Sequence, residues 1–424
     1  MVRTREAVLP ALDEEGKRDL ARMAGGMLER LRRHGGDSDG SVTRLVYTLE
    51  WEAAMAEIEG WFDDLGLDAS VNSVGSRFGR LAGERREVVL AGSHVDSVAK
   101  GGAYDGALGV IMATCAVGLL DRVCGRPHRS LEVLANCEEE SSRFPGNFWG
   151  ARAMLGLISE DEPGRLQDAR GITVADAMRE RGLDPARISE ARRSDIAAFV
   201  EPHIEQGPQL EASGVQVGVV DSVVGVRQLE FSFEGSSGHA GTIPMDHRRD
   251  ALVAAAELVL MAKETALQIG NGAVATVGSL EAHPGGSNQI AGEVRTTVDF
   301  RHSDESVLDE MEERLRASVD VVSARNSVAT SHHKRVNQAP IAFDARVRDV
   351  IERSCDDAGI RWTRLPSGAG HDAQVIARCV PAGMLFVPSK GGHSHRPDEE
   401  TDIADVVAGT EVLMRTLYQL AYLQ

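Results

Sequence analysis

The spacing of apolar residues changes period along this chain, and each change marks an element. Over residues 13–33 and 43–65 the apolar positions (Leu20, Met23, Met27, Leu31; then Leu45, Trp51, Met55, Ile58, Phe62) keep helical spacing, which predicts two amphipathic helices. Gly66 supplies the stop to the second, because glycine just past a helix end readily takes the left-handed cap conformation. Val88 to Ser93 is a short apolar run that predicts a buried strand with His94 at its C-terminal tip. Gly109 to Leu120 is apolar almost throughout and predicts a core helix, and Leu131 to Asn136 predicts a second buried strand. Helices alternating with short apolar strands mean an α/β domain with a mostly parallel sheet flanked by helices, and such sheets place their sites at strand C-terminal ends.

From about Gly214 the pattern changes. Gln228 to Phe233 alternates as a half-exposed strand should, and Arg249 to Gln268 is strongly helical. Ala273–Leu280 and Val294–Phe300 are strand-like, Val307–Val321 is a charged amphipathic helix, and Ser327–Val336 supplies a last strand. That βαββαβ order predicts a smaller α+β domain, a small open sheet with helices on one face. Residues bearing chemistry resume after Pro340, so this domain is expected as an insertion: catalytic domain 1–212, inserted domain 213–331, catalytic domain again 332–424.

At 424 residues two domains are the natural expectation. A formal charge of −19 argues against a nucleic-acid or anionic-membrane partner, since phosphates need a basic face. The five cysteines are scattered, with no CxxC spacing, which fits reduced thiols in a reducing compartment. No apolar run approaches the roughly 20 residues of a membrane helix, and Met1–Glu6 is charged rather than leader-like. The expectation is a cytoplasmic protein.

The chemistry sits in islands. The first three are Gly92-Ser93-His94-Val95-Asp96, Tyr104-Asp105-Gly106 and Cys137-Glu138-Glu139-Glu140; Glu201-Pro202-His203-Ile204-Glu205-Gln206-Gly207 and Gly392-His393-Ser394-His395 follow. Imidazole nitrogen and carboxylate oxygen are what a divalent transition metal takes as ligands. A bridging carboxylate with several histidines can hold two ions for hydrolysis. Asp96, two residues past His94, is placed to fix that ring's tautomer. Three consecutive glutamates directly after a buried strand are an odd choice for plain structure, and one of them suits a general base. His34, His128, His247, His283, His302, His332 and His333 lie in polar contexts and read as surface histidines, and His393 reads as incidental.

With Gly238-His239-Ala240-Gly241-Thr242, Ser367-Gly368-Ala369-Gly370-His371-Asp372 and Ser394-His395-Arg396-Pro397 added, seven islands stand in order from about residue 43 to about 415. Together they resemble the two-metal aminoacylase and carboxypeptidase superfamily, the M20-type metallopeptidases. More narrowly they resemble its ureido-amidohydrolase branch, which includes N-carbamoyl-L-amino-acid hydrolase, allantoate amidohydrolase, ureidoglycolate amidohydrolase and β-ureidopropionase. The resemblance implies His94, Asp105 and His203 on one divalent ion, and Asp105, Glu140 and His395 on the other, with Asp105 bridging. Zinc is the first expectation, and manganese, cobalt and nickel suit the same donors. Glu139 falls at the position of the general base, and Glu138 is left outside the metal shell. Ser141 stands where relatives usually carry glycine, and Ser76 where they often carry asparagine.

His239 resembles the histidine that reaches across a homodimer, formed through the inserted lid domain, to polarise the scissile carbonyl. Asn288 and Arg301 match groups that grip a substrate carboxylate, a task suited to the planar guanidinium fork. Gln206, Gly370 and His371 match positions lining the ureido pocket. Peptidase relatives generally carry a carboxylate where this chain has His203. The implied activity is therefore hydrolysis of a linear ureido C–N bond, as in an N-carbamoyl-L-amino acid, with allantoate or ureidoglycolate as competing substrates. An N-acyl-amino-acid deacylase or dipeptidase is the next alternative, and a non-catalytic metal-binding module the last.

Overall fold

The chain crosses from one compact unit into a second and back again. The computed structural model describes residues 9–423, so the charged opening Met1–Glu6 lies outside the described residues. The first unit runs up to Asp221 and resumes at Ala342; the second spans Ser222–Ile341. These junctions lie further along the chain than the expected 212/213 and 331/332. The apolar strand Val217–Val223 pairs with Ala382–Val387, and residue 331 falls inside the strand Ala329–Gln338.

Along the chain the strands are β1 (Asp68–Val71), β2 (Arg77–Leu81), β3 (Arg85–His94), β4 (Arg129–Asn136), β5 (Ile196–Ile204) and β6 (Val217–Val223). In the second unit come β7 (Gly225–Glu234), β8 (Gly238–His239), β9 (Val274–His283), β10 (Gln289–Ile290), β11 (Glu293–His302) and β12 (Ala329–Gln338). The return adds β13 (Ile341–Ala342), β14 (Trp362–Ser367) and β15 (Ala382–Val387). The large sheet is ordered β1-β2-β4-β3-β5-β15-β6-β13, with β14 paired to β6. Its centre is parallel, since β3 pairs in parallel with β4 and β5, and β5 with β15. The outer pairs β1–β2, β2–β4 and β15–β6 are antiparallel. Four parallel strands side by side deliver their C-terminal ends to one edge, where the loops that follow them gather.

The predicted helices form with small shifts. Glu14–Arg32 is capped by the Asp13 carboxylate, which accepts from Gly16 N–H. The second begins at Leu49, because the Thr48 hydroxyl accepts from Trp51 N–H and sets the N-terminus there. The core helix Ala107–Cys124 buries residues on every side, with Val110, Ile111, Met112 and Val117 fully enclosed. By length and composition alone it would cross a membrane, with mean hydropathy 1.7 over 18 residues, but 72% of it is buried inside the first unit. Cys115, Cys137 and Cys355 are buried, Cys124 is half-buried, Cys379 is exposed, and all five are free thiols.

Gly92, two residues before the end of β3, has φ +150°, and a Cβ there would lie 2.0 Å from the Leu134 carbonyl oxygen on β4. Gly92→Ala is expected to lower the unfolding free energy by about 3 kcal/mol or more, because backbone, not a movable side chain, blocks the methyl group. Urea unfolding curves of the two proteins check this.

In the second unit, β7, β9, β11 and β12 form an antiparallel sheet in the order β12-β7-β11-β9. Helices Ala251–Ile269 and Glu305–Asn326 complete the predicted βαββαβ order. Leu229, Phe231, Phe233, Val298 and Phe300 form a core with Ala254 and Leu258 of one helix and Leu308, Met311 and Leu315 of the other. One surface histidine is corrected here. His302 is buried, its Nε2 2.9 Å from the Asn271 carbonyl oxygen and its Nδ1 accepting from Asp304 N–H. The even-numbered residues of β11 (Val294, Thr296, Val298, Phe300) point inward, and His302 continues that face.

Candidate metal centre

Four of the five expected ligand-bearing segments follow ends of the parallel strands. His94 is the last residue of β3, Glu139 and Glu140 lie just past β4, His203 is the penultimate residue of β5, and His395 lies in the loop after β15. Asp105 comes from the turn between β3 and the helix Ala107–Cys124. Within each of two groups the nearest donor atoms lie within 4.8 Å of one another: His94, Asp105 and His203; and Asp105, Glu140 and His395. Asp105 is common to both.

The hydrogen bonds around the rings set their tautomers. His94 Nδ1 lies 3.0 Å from the Asp96 carbonyl oxygen, and His203 Nδ1 lies 2.9 Å from the Ile204 carbonyl oxygen. A carbonyl can only accept, so both Nδ1 atoms carry hydrogen and, in the neutral rings, both Nε2 atoms present lone pairs. Nε2 of His94 lies 3.5 Å from Asp105 Oδ1, and Nε2 of His203 lies 3.2 Å from the same oxygen while accepting from Gly106 N–H at 3.2 Å. Asp105 Oδ1 and Glu140 Oε1 are buried without a hydrogen-bond partner among the described residues. His395 Nε2 lies 3.3 Å from Asp105 Oδ2 and 3.4 Å from Glu140 Oε1. Acceptors that converge on acceptors require positive charge between them, supplied by protons on the rings or by cations. The donor set therefore fits divalent metal at both groups.

The charges of the pocket follow from the same packing. Burial alone would raise Asp105, yet the imidazoles of His203, His395 and His94 hold it well below the usual carboxylate range. Burial pushes Glu139 well above that range, against the opposing influence of His94 and with the help of Glu140, Asp372 and Asp96. His395 is raised to about 10 by Asp105 and Glu140.

Asp96 acts differently from a tautomer-setting carboxylate. Its backbone oxygen receives the His94 ring, with its Oδ1 3.4 Å from Nδ1, while Oδ1 accepts from Glu139 N–H at 3.0 Å and Oδ2 from Glu140 N–H at 3.1 Å. One buried carboxylate thus holds the backbone of both glutamates. Glu138 is buried, belongs to neither group, and is pushed well above the usual range by burial and the Asp96 charge.

Gln206 donates to Asp105 Oδ2 at 2.7 Å, and its own amide oxygen is buried and unpartnered. His371 packs edge-on against His203, with ring centroids 4.5 Å apart and Nε2 2.9 Å from the Ser367 hydroxyl. Burial and His203 lower it well below its ordinary value, which keeps the ring neutral. Gly370, beside it, is exposed. His393 Nδ1 lies 3.1 Å from Asp398 Oδ2, and the residue belongs to neither group.

Within the second unit, β8 pairs with β10, which puts His239 opposite Gln289, and Ala240 N–H donates to the Asn288 carbonyl at 3.0 Å. His239 is exposed, and its Nδ1 accepts from Gly241 N–H at 3.0 Å, leaving Nε2 to carry hydrogen as a donor. Arg301 Nε donates to Asp299 Oδ1 at 2.9 Å.

Two buried carboxylates in the first unit carry roles not assigned from sequence. Glu201 on β5 accepts from the Ser93 hydroxyl at 2.7 Å and from Ala373 N–H at 2.7 Å, joining the ends of three segments. A charged residue inside the apolar run of β5, two before His203, is the signal that marks it. Glu399 accepts three backbone N–H groups and is raised to about 7 by burial and the Asp105 charge. It lies in the run Asp398-Glu399-Glu400, which looks like a solvated loop.

The profile of Peptidase family M20/M25/M40 matches residues 90–419. The chain is 37% identical to the allantoate amidohydrolase of Bacillus subtilis (strain 168), over 93% of this chain and 96% of that protein. It is 38% identical to the N-carbamoyl-L-amino-acid amidohydrolase of Paenarthrobacter aurescens, over the same shares of each. Among solved structures, a hydantoinase/carbamoylase family amidase from Burkholderia ambifaria superposes with a TM-score of 0.89 at 32% identity, covering 95% of this chain and 97% of the other. Fold, donor groups and relatives agree: the chain belongs to peptidase family M20/M25/M40, and within it to the amidohydrolases that act on non-peptide C–N bonds.

Proposed function

We propose that this protein hydrolyses the linear C–N bond of a ureido acid of the N-carbamoyl-L-amino-acid type, releasing the amino acid, ammonia and carbon dioxide. The observation that carries this reading is His203, an imidazole whose Nε2 faces the shared carboxylate Asp105, at a position where peptidase relatives generally have a carboxylate. His94, Asp105 and His203 would hold one divalent ion and Asp105, Glu140 and His395 the other, with zinc first and manganese, cobalt or nickel as substitutes. Bound there, two such ions supply an acidified water and a polarised carbonyl.

The protein's own groups do the rest. Glu139 takes the proton of the attacking water and returns it to the leaving nitrogen, and the raised affinity for a proton that burial gives it suits both transfers. His239 donates from Nε2 to the developing oxyanion of a substrate bound to a second copy of the chain, so we infer a homodimer through the second unit. Asn288 and Arg301 grip the substrate carboxylate, while Gln206, Gly370 and His371 line the ureido end. Five free thiols, three of them buried, are in keeping with a reducing cytoplasmic setting.

Allantoate is the second reading, because the relative named for it is nearly as similar as the relative named for N-carbamoyl-L-amino acids. A turnover screen with metal restored decides between them, following ammonia release from N-carbamoyl-L- and D-amino acids, N-carbamoyl-β-alanine, allantoate and ureidoglycolate, and free amino acid from an N-acetyl amino acid and a dipeptide. The expected outcome is fastest turnover of an N-carbamoyl-L-amino acid. Preference for the N-acetyl amino acid or the dipeptide would overturn the ureido reading.

A further inference from the structure

Glu399 is 5% exposed and lies among backbone groups from two segments nearly three hundred residues apart. Its Oε1 accepts from Tyr104 N–H at 2.8 Å and Asp105 N–H at 3.0 Å, and its Oε2 accepts from His395 N–H at 3.2 Å. One carboxylate therefore ties the backbone of the shared aspartate to that of the most C-terminal histidine. The neighbouring chain leaves room for it: a Cβ on Gly102 would fall 2.1 Å from Glu399 Oε1 and 2.2 Å from its Cδ.

The two donor groups depend on this tie unequally. His94 and His203 end parallel strands, and each ring is anchored by a carbonyl within two residues of it. His395 sits in a loop, its side chain is 47% exposed, and its φ is +59°, in the left-handed region that a non-glycine residue enters at a cost. Glu399 holds the His395 amide and, at the same time, the Asp105 amide.

We infer that Glu399 is a positioning residue that builds the Asp105–Glu140–His395 group, setting the affinity of the second ion while leaving the first largely to His94 and His203. This rests on the two-ion reading given above. Glu399→Gln keeps shape but must turn an NH2 toward either His395 N–H or the Tyr104 and Asp105 N–H groups, so one side of the tie becomes donor against donor.

The test is zinc titration of chelator-stripped protein by competition with a chromophoric chelator, with the melting temperature of the metal-free protein as a second reading. Wild type is expected to take two ions per subunit. E399Q is expected to take the first within about threefold of wild-type affinity and the second about 10–100-fold more weakly. Gly102→Ala, which displaces the same carboxylate without altering it, is expected to give the same split and serves if E399Q does not fold. An unchanged ratio of the two affinities in the folded variant overturns the inference, even if the melting temperature falls, because that is what a purely structural residue would do. Failure of both variants to fold overturns it as well. If wild type itself takes fewer than two ions, the two-ion reading falls first.

Discussion

Glu139→Gln is expected to retain two ions per subunit and to lower kcat by about a hundred- to ten-thousand-fold, the usual contribution of a positioned general acid–base group. The side chain belongs to neither donor group, so an isosteric amide leaves the ligands in place. The backbone does not depend on the side chain either, because Glu139 is held through its N–H by Asp96 Oδ1. What the amide removes is the capacity to accept a proton, in a carboxyl whose proton affinity burial has already raised well above the usual range. Metal content by elemental analysis beside ammonia release on the same sample checks this. Near-normal turnover of a metal-replete variant would mean that another group moves the proton.

Asp105→Ala is expected to abolish both metal binding and turnover. Asp105 is the one residue shared by the two donor groups, and without it each group keeps only two ligands: His94 with His203, and Glu140 with His395. The variant also removes the acceptor of Gln206 and Ser394, whose side chains donate to Oδ2 at 2.7 and 2.8 Å. Elsewhere the sheet and its helices are untouched, so far-ultraviolet circular dichroism should match wild type. Retention of one tightly held ion would contradict a bridging role and point to two independent sites.

Much of this candidate centre is visible in the sequence because its donor residues follow strand ends, and strand ends can be read from where apolar runs stop. His94, Glu139, Glu140 and His203 stand out for that reason, and Asp105 stands out within a glycine-rich turn. The βαββαβ order of the second unit is legible for a related reason: long periodic segments declare themselves. The rest depends on contacts that spacing does not encode. Glu399 acts on backbone amides nearly three hundred residues away, and its neighbours Asp398 and Glu400 make it look like part of a solvated run. Spacing puts Asp96 near His94, but its grip on the glutamate loop exists only because β3 and β4 lie side by side. His302 was legible in principle: the parity of β11 points it inward, and its polar neighbours obscured that.

The position of β15 has a consequence for how the chain comes together. This strand lies between β5 and β6, pairing with one in parallel and the other antiparallel. A chain elongating from its N-terminus makes β5 and β6 early, then the whole second unit, before the strand that must lie between them exists. The second unit needs no later residue for its four-stranded sheet, so its strands can pair while the first sheet still has a gap. Filling that gap also delivers the loop that carries His395 and Glu399. Completion of the fold and completion of the second donor group are thus the same late event, and a nascent chain stopped short of β15 presents two unpaired strand edges in place of that second group.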